Sequence, residues 1–339
     1  MKNDKIFKLY ANCLPVKGAI RSVVCDLHYN SYKFIPNILY EILTAHKNKP
    51  VGIVKSCYEN KYDPQIDSYF DFLMENNLGF ECSESEVDNY PDMDLLWECP
   101  TTLTNAIIDL DAISCYNLKK IIGELNALKC KAVEIRIFHK MQLDKLSTLL
   151  NLFESTVVQD IQLILCYDAD KALQYFELCE EFPRINLITY YASPFEEIKE
   201  INHLGVTMMY IQKNIDSASH CGIINPSYFN VNLDMYLEAL NFNSCLNRKI
   251  SVDSGGFIKN CPSMSKSYGH SSEVNIADVV KNDDFKALWF VNKDQVNICR
   301  DCEFRYICTD CRAFTQDLNV SQNKPLKCSY DPYQAKWGN

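Results

Sequence analysis

Five apolar runs, over residues 106–110, 132–138, 161–166, 185–190 and 206–211, begin 21 to 29 residues apart, which is the pitch of a strand–helix unit. Between them Leu118, Ile121, Ile122 and Leu125 form one stripe at helical spacing, and Leu143, Leu146, Leu150 and Phe153 form another. Ser193-Pro194-Phe195-Glu196 combines an N-cap, a first-turn proline and a capping-box glutamate, so a further helix is predicted there. Successive units of this kind predict parallel strands with right-handed crossovers. Five are too few for a closed eight-stranded barrel. The pattern therefore predicts an α/β chain with a partial, open TIM-like βα barrel over residues 91–240.

Residues 1–90 have a different texture. Alternating stretches at 6–11 and 19–27 predict strands with a turn at Lys17-Gly18, and 31–35 predicts a third strand. Pro36 then stands at a favoured first helical position, followed by a stripe of Ile35, Ile38, Leu39, Ile42 and Leu43. A second helix is predicted near 65–77, with Ile66, Tyr69, Phe70 and Leu73 on one side, and Phe80 to Cys82 as a returning strand. Strands with a helix pair make a winged-helix-like unit. The acidic stretch over 88–94 reads as a solvated linker.

Composition narrows the classes of function. A 339-residue chain with 47% hydrophobic and 23% charged residues is long enough for two or three domains. No run reaches the about 20 apolar residues of a membrane helix, and the opening residues lack the layout of a signal peptide. The expectation is a cytoplasmic protein without membrane contact, whose seventeen cysteines stay reduced. A formal charge of -10 argues against nucleic acid as a partner, and no glycine-rich phosphate loop occurs. Ten cysteines (Cys13, Cys25, Cys57, Cys82, Cys99, Cys115, Cys130, Cys166, Cys179 and Cys221) lie scattered among apolar neighbours and read as small core residues.

The other seven are organised. Cys245 is followed by ten residues, Gly256, four residues and Cys261; after a gap come Cys299, Cys302, Cys308 and Cys311 as C-x2-C-x5-C-x2-C, and Cys328 closes the set. Thiolates at such spacing can converge on a soft metal centre. Gly255-Gly256 reads as a tight turn bringing Cys261 back toward Cys245. Two metal readings are open on spacing alone: structural zinc, for which paired cysteines are common ligands, and iron–sulfur clusters.

The full cysteine pattern resembles the SPASM domain, an extension of peptide-modifying radical S-adenosylmethionine enzymes, here over residues 241–339. It departs from the usual form in having two residues rather than three between Cys308 and Cys311. The resemblance implies two 4Fe–4S clusters. One would be held by Cys299, Cys302, Cys308 and Cys328. The other would be held by Cys245, Cys261 and Cys311, with Cys221 a further candidate and His220 and His270 weaker ones. Val16-Lys17-Gly18-Ala19-Ile20-Arg21-Ser22, Asp26 and the segment from Tyr32 to Pro36 resemble the start of SPASM peptide maturases encoded with ATP-grasp ligases. They are also similar in outline to a RiPP recognition element, the winged-helix unit that holds a precursor's leader peptide. Such capture works by strand addition at a sheet edge beside a helix groove.

A radical S-adenosylmethionine enzyme needs C-x3-C-x2-C after its first barrel strand. Here Asp111-Ala112-Ile113-Ser114-Cys115-Tyr116-Asn117 stands there with one thiol, and Phe138-His139-Lys140-Met141 replaces the glycine-rich turn after the second strand. The resemblance therefore implies a degenerate barrel without S-adenosylmethionine chemistry and no nameable catalytic residue. The expected function is an iron–sulfur accessory protein in maturation of a ribosomally made peptide, with the leader peptide and an ATP-grasp ligase as partners. The alternatives are a redox enzyme using an open-site cluster and a zinc-stapled scaffold. The aspartate pairs Asp109/Asp111 and Asp168/Asp170 read as helix caps at strand ends. His28, His46, His139 and His203 are isolated, and Ser251 to Gly256 lacks a nucleophile-elbow context.

Overall fold

The computed structural model describes residues 2–315 and 322–338. They form a mixed α/β protein whose largest element is an eight-stranded, mostly parallel sheet. The chain divides into two compact units: Met1–Glu98 with Ile224–Ser244 and Val291–Asn339, and Cys99–Ile223 with Cys245–Phe290. The cysteine-rich region at 241–339 is thus shared out between the two.

The first unit opens with β1 (Ile6–Leu9), β2 (Cys13–Val16), β3 (Arg21–Asp26), β4 (Ser31–Pro36), α1 (Asn37–Ala45), α2 (Val51–Cys57), α3 (Asp63–Glu75) and β5 (Gly79–Cys82). β1 pairs antiparallel with β5, while β2, β3 and β4 make a separate antiparallel sheet. Two of these elements escape the sequence pattern. β2 is four residues long and contains Pro15, too short to show alternation and carrying a residue that argues against a strand. α2 reads Val-Gly-Ile-Val-Lys-Ser-Cys, poor helix formers whose burial of Val51 and Val54 overrides propensity. Ile38, expected on the buried stripe of α1, stays outside; Leu39, Ile42 and Leu43 are the residues that face inward. They pack with Phe7, Ile66, Phe70 and Leu73 in one cluster, in which the rings of Phe7 and Phe70 stack at 4.9 Å.

A second cluster in this unit joins the three-stranded sheet to much later sequence. Val16, Val23, Cys25 and Leu27 pack with Tyr236 of the helix Leu233–Asn241 and with Phe304, Ile307, Cys308 and Tyr330.

The second unit holds β6 (Asn105–Leu110), α4 (Leu118–Ala127), β7 (Ala132–Ile137), α5 (Leu143–Asn151), β8 (Asp160–Cys166), α6 (Ala172–Glu181), β9 (Ile185–Tyr191), β10 (Glu197–Ile201), β11 (Val206–Tyr210), β12 (Lys249–Val252) and β13 (Ile258–Lys259). Their order across the sheet is β10-β11-β9-β8-β7-β6-β12-β13. The five apolar runs are five of its parallel strands, because residues covered on both faces read as continuous hydrophobic stretches. β12 is a sixth, parallel to β6, and too short to stand out. α4 starts where Asn117 Oδ1 accepts a hydrogen bond from the Lys120 amide at 3.0 Å.

One expectation fails here. Residues 193–196 open no helix; the Ser193 side chain accepts from the Phe195 amide at 3.3 Å, and the chain continues as β10, antiparallel to β11. Glu197 to Ile201 is exposed almost throughout, and pairing along the edge of β11 outweighs a local capping signal.

Candidate metal centres

In the first unit the segment around Cys299 is short-range and turn-rich, so its geometry comes from backbone hydrogen bonds. Cys299–Asp301 is a single 3-10 turn, closed by the Cys302 amide on the Cys299 carbonyl at 3.0 Å. Ile298, just before it, has φ 70, a left-handed conformation that a β-branched residue enters only under constraint. The Cys328 amide donates to the Pro325 carbonyl at 3.2 Å. These turns place Cys299, Cys302, Cys308 and Cys328 on the wall of one small cavity of about 30 Å³, whose remaining lining includes Phe229, Phe304 and Trp337. They are the four residues that the family resemblance groups on one cluster.

The same cavity is lined by Lys293, which is buried at 4% exposure. Its Nζ donates to the carbonyls of Cys308 at 2.7 Å and Thr309 at 3.2 Å. Burial works to lower the pKa of this ammonium, but Cys308, Asp310 and Cys299 outweigh it and hold the group above its usual range. Burial pushes the Cys299 thiol up to about 12 and raises Cys302 and Cys308 too. Without a cation these thiols keep their protons; a bound metal would draw them to thiolates. Asp310, 1% exposed, is braced by Arg312 Nη2 at 2.5 Å and Asn243 Nδ2 at 2.9 Å.

The second unit gathers a smaller group. Gly256 has φ 84 and its amide donates to the Asp253 carbonyl at 2.8 Å, making the turn between β12 and β13. A Cβ at Gly256 would come within 2.5 Å of His270 Nε2, so the turn requires glycine. Cys245 precedes this hairpin and Cys261 follows it. Cys261 is pushed up to about 12, first by burial and then by the charges of Cys245 and Cys221; Cys221 is raised by burial and by Cys245. Lys249 Nζ lies 3.7 Å from Cys245 Sγ. Burial would lower this lysine, while Cys245, Cys261 and Glu134 hold it above its usual range. The group brought together is Cys221, Cys245 and Cys261. Cys311, grouped with the latter two by the resemblance, is a buried residue of the other unit. His220 Nδ1 lies 2.7 Å from the Ser217 carbonyl, and His270 bonds to Ser272 Oγ at 2.7 Å and the Gly255 carbonyl at 3.0 Å.

Among the described residues no group of three or more His, Cys, Asp and Glu side chains is arranged to hold a metal ion as it stands. The four thiols of the first unit line a cavity rather than converge on a point. Their chemistry nonetheless suits a soft, thiolate-bound group: four sulfurs, mainly apolar walls and one buried ammonium to offset negative charge.

The ends of β6 and β7 carry a feature that the sequence reading assigned otherwise. Asp109 caps no helix. It is 2% exposed and takes a two-point ion pair from Arg136, Nε to Oδ1 at 2.6 Å and Nη2 to Oδ2 at 2.8 Å. Asp111 does stay local, accepting from the Ile113 amide at 2.9 Å, and Asp168 pairs with Lys171 at 2.9 Å. In the loop after β6 the single thiol, Cys115, is exposed, as is Cys57; neither is the core residue expected.

The Lys17 to Arg21 segment, part of the N-terminal resemblance, faces the cysteine-rich chain within its own unit. Arg21 Nε reaches Glu303 Oε1 at 2.8 Å, the Tyr330 hydroxyl donates to the same oxygen at 2.6 Å, and the Ala19 amide donates to the Asp301 carbonyl at 2.8 Å. Glu303 is 1% exposed. Lys249, Lys293 and Arg136 were not singled out by the sequence, since each meets its partners through the fold, while Cys221 was named as a further candidate. No helix among the described residues is long and apolar enough to cross a membrane. Compared with known protein families and with curated proteins, the chain matches none.

Proposed function

We propose that this chain is an iron–sulfur accessory protein of the SPASM type for the maturation of a ribosomally made peptide. It binds the precursor's leader through residues 1–90 and works beside an ATP-grasp ligase. The observation that carries the reading is the meeting of Cys299, Cys302, Cys308 and Cys328 on one cavity with the buried Lys293. Those thiols would hold one 4Fe–4S cluster, and Cys245 and Cys261 would hold a second, with Cys221 the third thiol of their own unit and Cys311 the one the resemblance implies. When bound, such clusters brace a loop-rich segment and pass electrons singly. The chain's own contribution is to keep water out with Phe229, Phe304 and Trp337, and to place an ammonium beside each thiol group. In this reading the parallel sheet is a degenerate, partial βα barrel. Its first loop offers Cys115 alone, so the adenosyl radical is not made here.

The test is iron and acid-labile sulfide content after anaerobic purification. About eight irons per chain are expected for two cubanes, with about half lost in Cys328→Ala and the other half in Cys245→Ala. Stoichiometric zinc without sulfide would replace the reading with a zinc-stapled scaffold.

A further inference from the structure

We propose that the groove formed by β1, β2 and the end of α1 binds an acidic, apolar peptide segment, and that Asp92, which pairs with the groove's lysines from its wall, is a built-in competitor for their charge. This deepens the leader-recognition reading and rests on it for the identity of the natural partner. The groove measures about 440 Å³ and has Phe7, Ile42 and Leu43 in its lining. β2 is the end strand of its sheet, but its outward amides are spent, Cys13 donating to the Tyr10 carbonyl and Pro15 having none, so a segment lying beside α1 is held by the side chains of the groove and not by strand pairing.

Charge selects the partner. Lys8, Lys47 and Lys49 line the groove against one carboxylate, Asp92. Lys8 is 7% exposed, with Asn48 Oδ1 at 3.3 Å and the Asp92 carboxylate at 4.0 Å. Asp92 also meets Lys47 at 2.7 Å, while Met93 and Leu95 add apolar wall. The chain's own acidic-apolar segment therefore lines the groove in a form with no helix or strand, with Asp92 on its lysines and Met93 also packed against the second cluster. The linker is not merely solvated, as its composition suggested. Asp92 and Lys47 are 59% and 47% exposed, so solvent screens the pair and it holds the segment only weakly. A peptide bringing two or more carboxylates would satisfy more of the lysines and displace the segment.

The experiment uses a fluorescein-labelled synthetic peptide of residues 88–98, titrated by anisotropy against the full chain. Asp92→Ser frees the groove's lysines and leaves Met93 and Leu95 in the wall, so it should bind the probe at least about threefold more tightly than wild type. Adding Lys47→Glu to that variant should weaken binding about fivefold or more, and a probe with lysine in place of each aspartate should not bind. Equal affinity of wild type and Asp92→Ser, or equal binding of the lysine probe, would overturn the proposal. Both substitutions are at exposed positions, and matched melting curves verify the fold. The probe is a fragment of this chain, so its binding decides the groove alone. If the probe binds as stated but a ribosomal precursor peptide does not compete with it, the leader reading falls while the groove stands.

Discussion

Replacing Arg136 with methionine keeps most of the side chain's bulk and removes a guanidinium from a position that is 1% exposed. Asp109 loses both bonds, at 2.6 and 2.8 Å, and is itself 2% exposed. Stranding a buried charge in this way costs about 3–5 kcal/mol. The loss should carry a pH signature. With Arg136 present, burial already pushes the Asp109 carboxyl up to about 6, against the pull of the guanidinium; without Arg136 it rises further. A carboxyl raised on folding binds its proton more tightly in the folded state. Its contribution is therefore present below the ordinary value near about 4 and is lost as pH climbs through the folded value. Urea unfolding followed by circular dichroism should show Arg136→Met further below wild type at about pH 8 than at about pH 5.5. Asp109→Leu combined with Arg136→Met removes both charges and should return to within about 1 kcal/mol of wild type. A loss under about 1 kcal/mol at the higher pH, or a double variant as unstable as the single one, would refute the reasoning.

Lys293→Met strands the carbonyls of Cys308 and Thr309. Each should cost about 1–3 kcal/mol, read as a lower melting temperature in anaerobic protein, together with fewer irons retained than in wild type. Gly18→Ala puts a Cβ 2.3 Å from the Arg21 carbonyl oxygen and 2.9 Å from Glu303 Cβ. Overpacking against backbone should cost about 1–3 kcal/mol in urea unfolding; an unchanged midpoint would mean that the Lys17 to Arg21 turn is looser than its contacts indicate.

The parallel strands were legible in the sequence because most of their residues are apolar and covered, although β6 and β7 also carry the Asp109–Arg136 pair. Strand β10 was not, since Ser193 to Glu196 satisfies every local rule for a helix start and only the waiting edge of β11 decides otherwise. β2 and α2 were missed for a related reason: Pro15 and Gly52 weaken the local signal, and burial of Cys13, Val16, Val51 and Val54 settles the outcome. Four thiols of the candidate site were legible as a spacing pattern, because C-x2-C fits one turn of chain. Their cationic companions were not. Lys293 and Lys249 look like any surface lysine until the fold encloses them. The grouping of Cys221 with Cys245 and Cys261 depends on where residue 221 is carried by the chain after β11, which spacing cannot express.

The first unit is assembled from three separate stretches of sequence, and Arg21 meets Glu303 across 282 positions. A ribosome making this protein releases the opening sheet long before Phe304, Ile307 and Tyr330 exist to cover it. The apolar side of β2 and β3 must then wait, exposed to chaperones and proteases, through most of synthesis. Folding of that unit is consequently a late, whole-chain event, and fragments cut after residue 98 should be expressed as degradation-prone material rather than as a separable binding module.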